Sequence, residues 1–158
     1  MIIASLQPAR VICWTGMPLL SRDMTIRFIA RAVGVEDGVD DCLTAGIAET
    51  EDGDGLMFDF QCVLYEPDEQ DIALGWDTHC VVTANQGTAY GAVNELTLRG
   101  NVLRIVLDPR DLEALGLSDP EIEAVLEVDD EAIEGFRNAL RRILAYGRED
   151  ARPSVVHL

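Results

Sequence analysis

Apolar and polar residues alternate along most of the chain from Thr25 onward, and this alternation predicts β-strands. A strand is predicted over residues 43–48, and turns are predicted at the glycines of residues 53–55 and 100–101. The alternating apolar rows are Ile26, Phe28, Ala30 and Ala32; Phe58, Phe60, Cys62 and Leu64; Thr78, Cys80 and Val82; Leu96 and Leu98; Leu103, Ile105 and Leu107; and Ile122, Ala124, Leu126 and Val128. Strict alternation is typical of antiparallel sheets that bury one face.

Two segments have features of helices instead. Residues 129–146 place Ile133, Phe136, Leu140, Ile143 and Leu144 on one helical face, with Asp129 as the N-cap and Gly147 as the end. A short helix is predicted over residues 109–115, with proline in its first turn and Gly116 after its last. The predicted fold is therefore α+β: an antiparallel sheet of about seven strands, covered on one face by the C-terminal helix, plus one short helix.

The length of 158 residues predicts one domain. We assign this α+β domain to residues 24–148. Residues 1–23 show no sustained period and are interpreted as an irregular arm or a gene-model extension, and Trp14 and Leu19 should pack on the body if that arm is ordered. The tail, residues 149–158, is expected to fray.

Charge is distributed unevenly along the chain. The formal net charge is -17, and residues 32–98 contain fifteen Asp and Glu but no Arg or Lys. A concentrated negative field repels nucleic acid and anionic membrane and attracts basic partners. We therefore expect neither nucleic acid nor membrane as a partner, although a solvated acidic surface that merely maintains solubility has the same composition.

Most of these acids lie in three dense segments, residues 36–41, 49–54 and 66–71, with twelve carboxylates in eighteen residues. The second segment superficially suggests calcium but lacks the ligand order of an EF-hand. The four cysteines, Cys13, Cys42, Cys62 and Cys80, lack zinc spacing. We therefore expect no metal and no other cofactor. The chain shows no convincing secretory signal and no membrane-length apolar run, which predicts a cytoplasmic protein with free thiols.

Candidates for catalysis are few. His79 adjoins Cys80, but neighbours on a strand point to opposite faces and cannot form a Cys–His dyad. The chain contains no nucleophile elbow, phosphate-binding loop or dinucleotide fingerprint. The sequence predicts a protein that is not an enzyme. A hydrolase that uses His79 with a nearby carboxylate is an alternative, and it requires His79 to lie at a cleft.

Residues 66–94 interleave carboxylates with two aromatic residues, Trp76 and Tyr90. An exposed aromatic side chain beside charged groups is typical of a binding hot spot. The alternative is that both aromatics fill the end of the sheet.

The same stretch carries a family resemblance. Its segments E-Q-D-I-A-L-G-W-D-T-H-C-V-V and Q-G-T-A-Y-G-A-V resemble the immunity protein 10 family of bacterial polymorphic toxin systems, and the resemblance extends over residues 24–144. The most specific positions are Asp71, Leu74, Gly75 and Asp77, followed by Tyr90 and Gly91. Family members often have a second glycine where this chain has Ala92. If the turn requires positive φ, either it differs here or Gly91 alone adopts that conformation.

The resemblance implies a protein that binds and silences the C-terminal domain of a cognate toxin in the cell that makes it. Many such toxins are nucleases, and a nuclease site is usually basic, which agrees with an acidic inhibitor. We expect a monomer or weak homodimer. The alternative is a small-ligand or metal-binding module without catalysis, with an apolar pocket of a few hundred Å³ between sheet and helix. The predicted partner-binding residues are Glu66, Asp68, Glu69, Asp71, Trp76, Asp77 and Tyr90.

Overall fold

The computed structural model describes residues 25–158, so the predicted arm, with Trp14 and Leu19, lies outside the described residues. The strands in chain order are β1 (Thr25–Ala30), β2 (Ala32–Val39), β3 (Cys42–Ala48), β4 (Met57–Val63), β5 (Cys80–Thr83), β6 (Thr88–Tyr90), β7 (Val93–Arg99), β8 (Val102–Leu107), β9 (Glu121–Leu126) and β10 (Val155–His157). They form two five-stranded sheets, in the orders β1-β9-β8-β7-β10 and β2-β3-β4-β5-β6. The α+β class is confirmed, with ten strands in two sheets in place of one sheet of about seven.

The division into two sheets begins at Arg31. The apolar row from Ile26 to Ala32 reads as one strand, but Arg31 separates β1 from β2, and the two strands belong to different sheets. Pairing is antiparallel except for β1 with β9 and β10 with β7, which are parallel. Alternation within a segment reports which face is buried and carries no information about the partner strand, so it could not predict these long-range parallel pairs.

Within residues 25–158, three α-helices accompany the sheets: α1 (Glu69–Ala73), α2 (Leu112–Leu115) and α3 (Asp130–Leu144). A 3₁₀ turn, Pro109–Asp111, leads into α2, and Gly116 ends that helix at φ +70°. The Asp129 side chain caps α3 by accepting a hydrogen bond from the Ala132 amide at 2.8 Å. Both predicted helices are confirmed, whereas α1 is too short to show a period in the sequence. None of the helices within residues 25–158 is long and apolar enough to cross a membrane.

Both sheets and α3 share one hydrophobic core. Phe28 of β1 and Phe58 of β4 stack with ring centroids 5.9 Å apart, joining the sheets. Helix α3 packs against β2, β3 and β4 and buries Phe136, Leu140 and Ile143. The acid-rich turns of the second sheet therefore project from a packed framework.

The predicted inward row Thr78, Cys80 and Val82 is wrong for β5. Val81 and Thr83 are buried, and Cys80 and Val82 are only partly buried. The sequence C-V-V-T is apolar on both faces, so alternation does not identify the inner one. Pairing with β4 decides it, because Val81 lies opposite the fully buried Phe60.

The tail, residues 149–158, was expected to fray, but the structure pairs part of it with the first sheet. After a 3₁₀ turn, Glu149–Ala151, strand β10 pairs with β7 at the edge of the first sheet. Main-chain bonds attach this segment: the Arg148 amide donates to the Asp77 carbonyl at 3.0 Å, and the Ser154 amide donates to the Asn94 carbonyl at 2.9 Å. Backbone pairing of this kind leaves no signature in side-chain periodicity.

Candidate functional site

Two of the three acidic segments meet at one end of the second sheet. The turn between β2 and β3 carries Asp40 and Asp41, and residues 66–71 follow β4. Cys42 pairs with Val63, and the Leu64 amide donates to the Asp41 carbonyl at 2.9 Å, which brings the two segments side by side. The acidic end, as we call this surface, comprises Asp40, Asp41, Glu66, Asp68, Glu69 and Asp71.

The remaining acidic segment, residues 49–54, lies elsewhere. It forms the turn between β3 and β4, at the opposite end of two seven-residue strands, which is roughly 20 Å away at the rise of a strand. Glu49 is buried there, and its carboxylate accepts a hydrogen bond from the Leu56 amide at 2.6 Å. The acidic half of the chain is therefore divided between two ends of the sheet.

Tyr65 lies at the acidic end, between strand β4 and the acids of residues 66–71. Its side chain is 40% exposed. Burial, followed by nearby negative groups that include Asp71, Asp41 and Asp68, raises the pKa of its phenol. Sequence reasoning missed Tyr65, although its position between strand β4 and a run of acids was the available signal.

Helix α1 holds the acids of residues 66–71 in place. Its capping box is reciprocal: the Asp71 amide donates to Asp68 Oδ1 at 2.9 Å, and the Asp68 amide donates to Asp71 Oδ2 at 3.0 Å. These two predicted site residues therefore also hold the local fold. Glu66 and Glu69 are exposed, and within residues 25–158 neither forms an ion pair.

The predicted aromatic pair is adjacent to this surface. The Trp76 indole N–H donates to the Tyr90 hydroxyl at 3.2 Å, and the Tyr146 hydroxyl donates to the Trp76 carbonyl at 2.9 Å. Tyr90 is 43% exposed, so it does not simply fill the end of the sheet. Exposed Ile72 and Leu74 lie on the intervening segment and add apolar surface.

Asp77, in contrast, is largely covered. Its side chain is 13% exposed and forms an ion pair with Arg148 at 3.1 Å. Its Oδ1 atom is buried without a hydrogen-bond partner in residues 25–158. Of the predicted partner-binding residues, Asp77 is thus the one enclosed by the fold.

Arginines from the C-terminal part of the chain neutralise a minority of the acids. Arg142 of α3 pairs with Asp37 at 2.9 Å, and Arg148 pairs with Asp77. In the part of the chain that the structure describes, no arginine forms an ion pair with a carboxylate of the acidic end. The acidic end therefore keeps its charge.

A groove of about 490 Å³ borders the acidic end on the α3 side. Leu43 and Cys62 form its floor, and Tyr65, Arg142 and Tyr146 form its walls. Burial is the main cause that raises the pKa of Tyr146 to about 12. This groove has the position and volume that the small-ligand alternative expects, but it opens to solvent and has charged residues at its rim.

His79 belongs to the core. It is 0% exposed, and its Nε2 accepts a hydrogen bond from the Val93 amide at 3.1 Å. Burial lowers the pKa of the imidazole to about 4 and raises the pKa of the Cys80 thiol to about 12. The hydrolase alternative required His79 at a cleft, and its complete burial contradicts that placement.

The structure also explains the departure at Ala92. Gly91 has φ +65°, whereas Ala92 is not among the positive-φ residues and is fully buried. Gly91 alone therefore supplies the conformation, and alanine fits the next position.

As for metals, no group of three or more His, Cys, Asp or Glu side chains within residues 25–158 is placed to hold an ion.

Comparison with known proteins gives one match. The family model described as Immunity protein 10 matches residues 29–134, from within β1 to within α3, and this range includes the whole acidic end. No curated protein and no solved structure matches the chain.

Proposed function

Because the chain belongs to the immunity protein 10 family, we propose that it binds a cognate toxin domain and neutralises it through the acidic end. The observation that carries this proposal is the convergence of two acidic segments beside exposed Tyr65, where the Leu64 amide donates to the Asp41 carbonyl at 2.9 Å. The partner surface is expected to be basic, as in a toxin that binds phosphate.

The acidic end combines the two parts that a specific interface needs. Tyr65, Ile72 and Leu74 offer apolar surface that can be desolvated, which is where binding energy concentrates. The surrounding carboxylates accept charge-assisted hydrogen bonds from arginine or lysine and steer the encounter. Inhibition then follows from covering or distorting the toxin site, without chemistry by the immunity protein itself.

The framework favours binding without reorganisation. Strand pairing fixes Asp41 beside Leu64, and the capping box fixes Asp68 and Asp71. A preorganised surface loses little conformational entropy on association. We propose that the protein acts in the cytoplasm of the producing cell as a monomer or weak homodimer.

The proposal is tested with the gene adjacent and upstream, which we expect to encode a large secreted protein whose variable C-terminal domain is the toxin. Glu66→Gln combined with Glu69→Gln removes two charges from the acidic end without disturbing the capping box. We expect binding to weaken about five- to tenfold, as for two exposed interfacial charges, and protection of toxin-expressing cells to fall. Affinity is measured by calorimetry and protection by survival.

The matched control is Glu51→Gln combined with Asp54→Asn, which removes the same charge at the opposite end of the sheet. This variant should bind and protect like the parent. Equal loss in both double variants would mean that total charge matters and the acidic end does not. Failure of the parent protein to bind any toxin domain encoded beside it would reject the proposed function.

A further inference from the structure

The outer face of the second sheet contains a trough that the acidic end does not use. The residues opposite one another across β2, β3 and β4 include the row Gly34, Gly46 and Asp59. Two neighbouring glycines leave the backbone without side-chain cover, and a depression of about 500 Å³ results. It opens to solvent on the face away from α3.

A carboxylate lies across the floor of this trough. A Cβ atom added at Gly46 would collide with Asp59 Oδ1, so the Asp59 side chain extends from β4 over β3. Asp59 is half-buried. This burial is the main cause that raises the pKa of the Asp59 carboxyl group, and the nearby carboxylate of Glu36 raises it further. Among residues 25–158, no arginine forms an ion pair with Asp59 or Glu36.

This arrangement is unfavourable in the free protein. Two carboxylates repel each other, and one of them is partly removed from water without a counter-charge. Both costs are relieved when a cation enters between them. The walls that Ala32, Ala48 and Met57 contribute are apolar and suit the methylene groups of a long basic side chain.

We propose that the trough receives one arginine side chain of the bound toxin domain, an inference that rests on the proposed function. Arginine is favoured over lysine because its planar guanidinium has five donors and can reach carboxylates on two strands together. Glu36 lies on β2 between the trough and the turn that carries Asp40 and Asp41, so one partner can cover both surfaces. The docked surface then extends from the acidic end onto the sheet face.

Asp59→Asn tests the trough with little change of shape. We expect affinity for the toxin domain to fall about 30-fold or more, as when one partner of a desolvated charge pair is removed. The melting temperature of the free protein should stay the same or rise, because the uncompensated charge is gone. A purely structural role would lower stability and affinity together, so the opposite signs identify a binding role.

Two further variants complete the test. Gly46→Ala keeps the charge but displaces the Asp59 carboxylate, and it should also weaken binding. Asp54→Asn, the same charge change outside the trough, should have no effect. In double-mutant cycles, each arginine of the toxin domain is replaced in turn and tested against both the parent and Asp59→Asn. One arginine should be found whose replacement weakens binding to the parent but does not weaken binding to Asp59→Asn any further.

The outcomes separate the two proposals. If Asp59→Asn binds like the parent, or if no toxin arginine couples to Asp59, the trough is not a receptor and the proposed function stands. If the parent itself does not bind the toxin domain, both proposals fail.

Discussion

At the scale of single residues, several positions that resemble functional groups serve the fold. His79 accepts a main-chain hydrogen bond in the core, and Asp77 forms an ion pair with Arg148. The sequence argument against a Cys–His dyad assumed that His79 lies on a strand, whereas the structure places it just before β5. Sequence alone could not distinguish Asp77 from the exposed acids beside it, because the covering arginine lies 71 positions further along the chain.

The buried imidazole predicts a pH dependence of stability. Burial lowers the pKa of His79 to about 4 in the folded protein, against the ordinary histidine value of 6.5. Between these values the unfolded chain binds more protons than the folded chain, so the free energy of unfolding falls as pH decreases through this window. The loss attributable to His79 should be on the order of 2 kcal/mol between pH 7 and about pH 5.

The measurement is urea unfolding of the parent and His79→Gln at both pH values, since the carboxylates titrate equally in each. The variant should lose less stability than the parent. An independent check is the imidazole proton resonance, which should remain that of neutral histidine well below pH 6. A titration midpoint near 6.5 in the folded protein would contradict this prediction.

At the scale of elements, the pattern within a segment predicted the features that depend only on residues of that segment. The caps and apolar face of α3 and the alternating rows of β4, β8 and β9 are confirmed because each depends on residues within one segment. The exception is Leu64, which was predicted in the row of β4 but lies just past that strand and is exposed. Helix α1, the inner face of β5 and the pairing of β10 depend on partners distant in sequence. Tyr65 was missed for the same reason, because the carboxylates around it come from two turns.

Two glycines of the C-terminal region should respond oppositely to alanine. Gly135 is exposed on α3 with nothing within 4 Å of an added Cβ, so Gly135→Ala should stabilise the protein by about 0.5–1 kcal/mol through helix propensity. Gly147 has φ +89°, and its added Cβ would collide with the Asp77 carbonyl oxygen. Gly147→Ala should therefore destabilise by about 2 kcal/mol or more, from left-handed strain plus the clash.

Chemical unfolding of both variants against the parent measures these changes. Because Gly147 follows α3 and its neighbour Arg148 bonds to Asp77, the second variant should also loosen the tail. Hydrogen exchange at the Ser154 amide, which bonds to Asn94, reports that loosening directly. Similar stabilities for the two alanine variants would mean that the conformation at Gly147 imposes no constraint.

At the scale of the whole molecule, the sequence identified the sign and amount of charge but not its arrangement. Fifteen acids in residues 32–98 suggested one anionic half, yet the turns of the second sheet send them to opposite ends. That division follows from antiparallel connection: successive turns alternate between the two ends of a sheet. Two arginines from the C-terminal part then neutralise Asp37 and Asp77 and leave the acidic end uncovered.

This arrangement predicts which charges steer association. At about 0.1 M salt the Debye length is roughly 10 Å, so carboxylates at the far end of the sheet, roughly 20 Å away, contribute little to an encounter at the acidic end. The association rate constant with the toxin domain should fall about tenfold between about 50 mM and 300 mM salt. The dissociation rate constant should change far less, since short-range contacts hold the complex.

Stopped-flow association across this salt range, with the two charge-matched double variants, separates local from global steering. Glu66→Gln with Glu69→Gln should flatten the salt dependence, and Glu51→Gln with Asp54→Asn should leave it unchanged. Equal slopes in the two variants would show that the net charge of the molecule steers the encounter. In that case the division of acids between the ends would have no kinetic consequence, and the role of the acidic end would be confined to the bound complex.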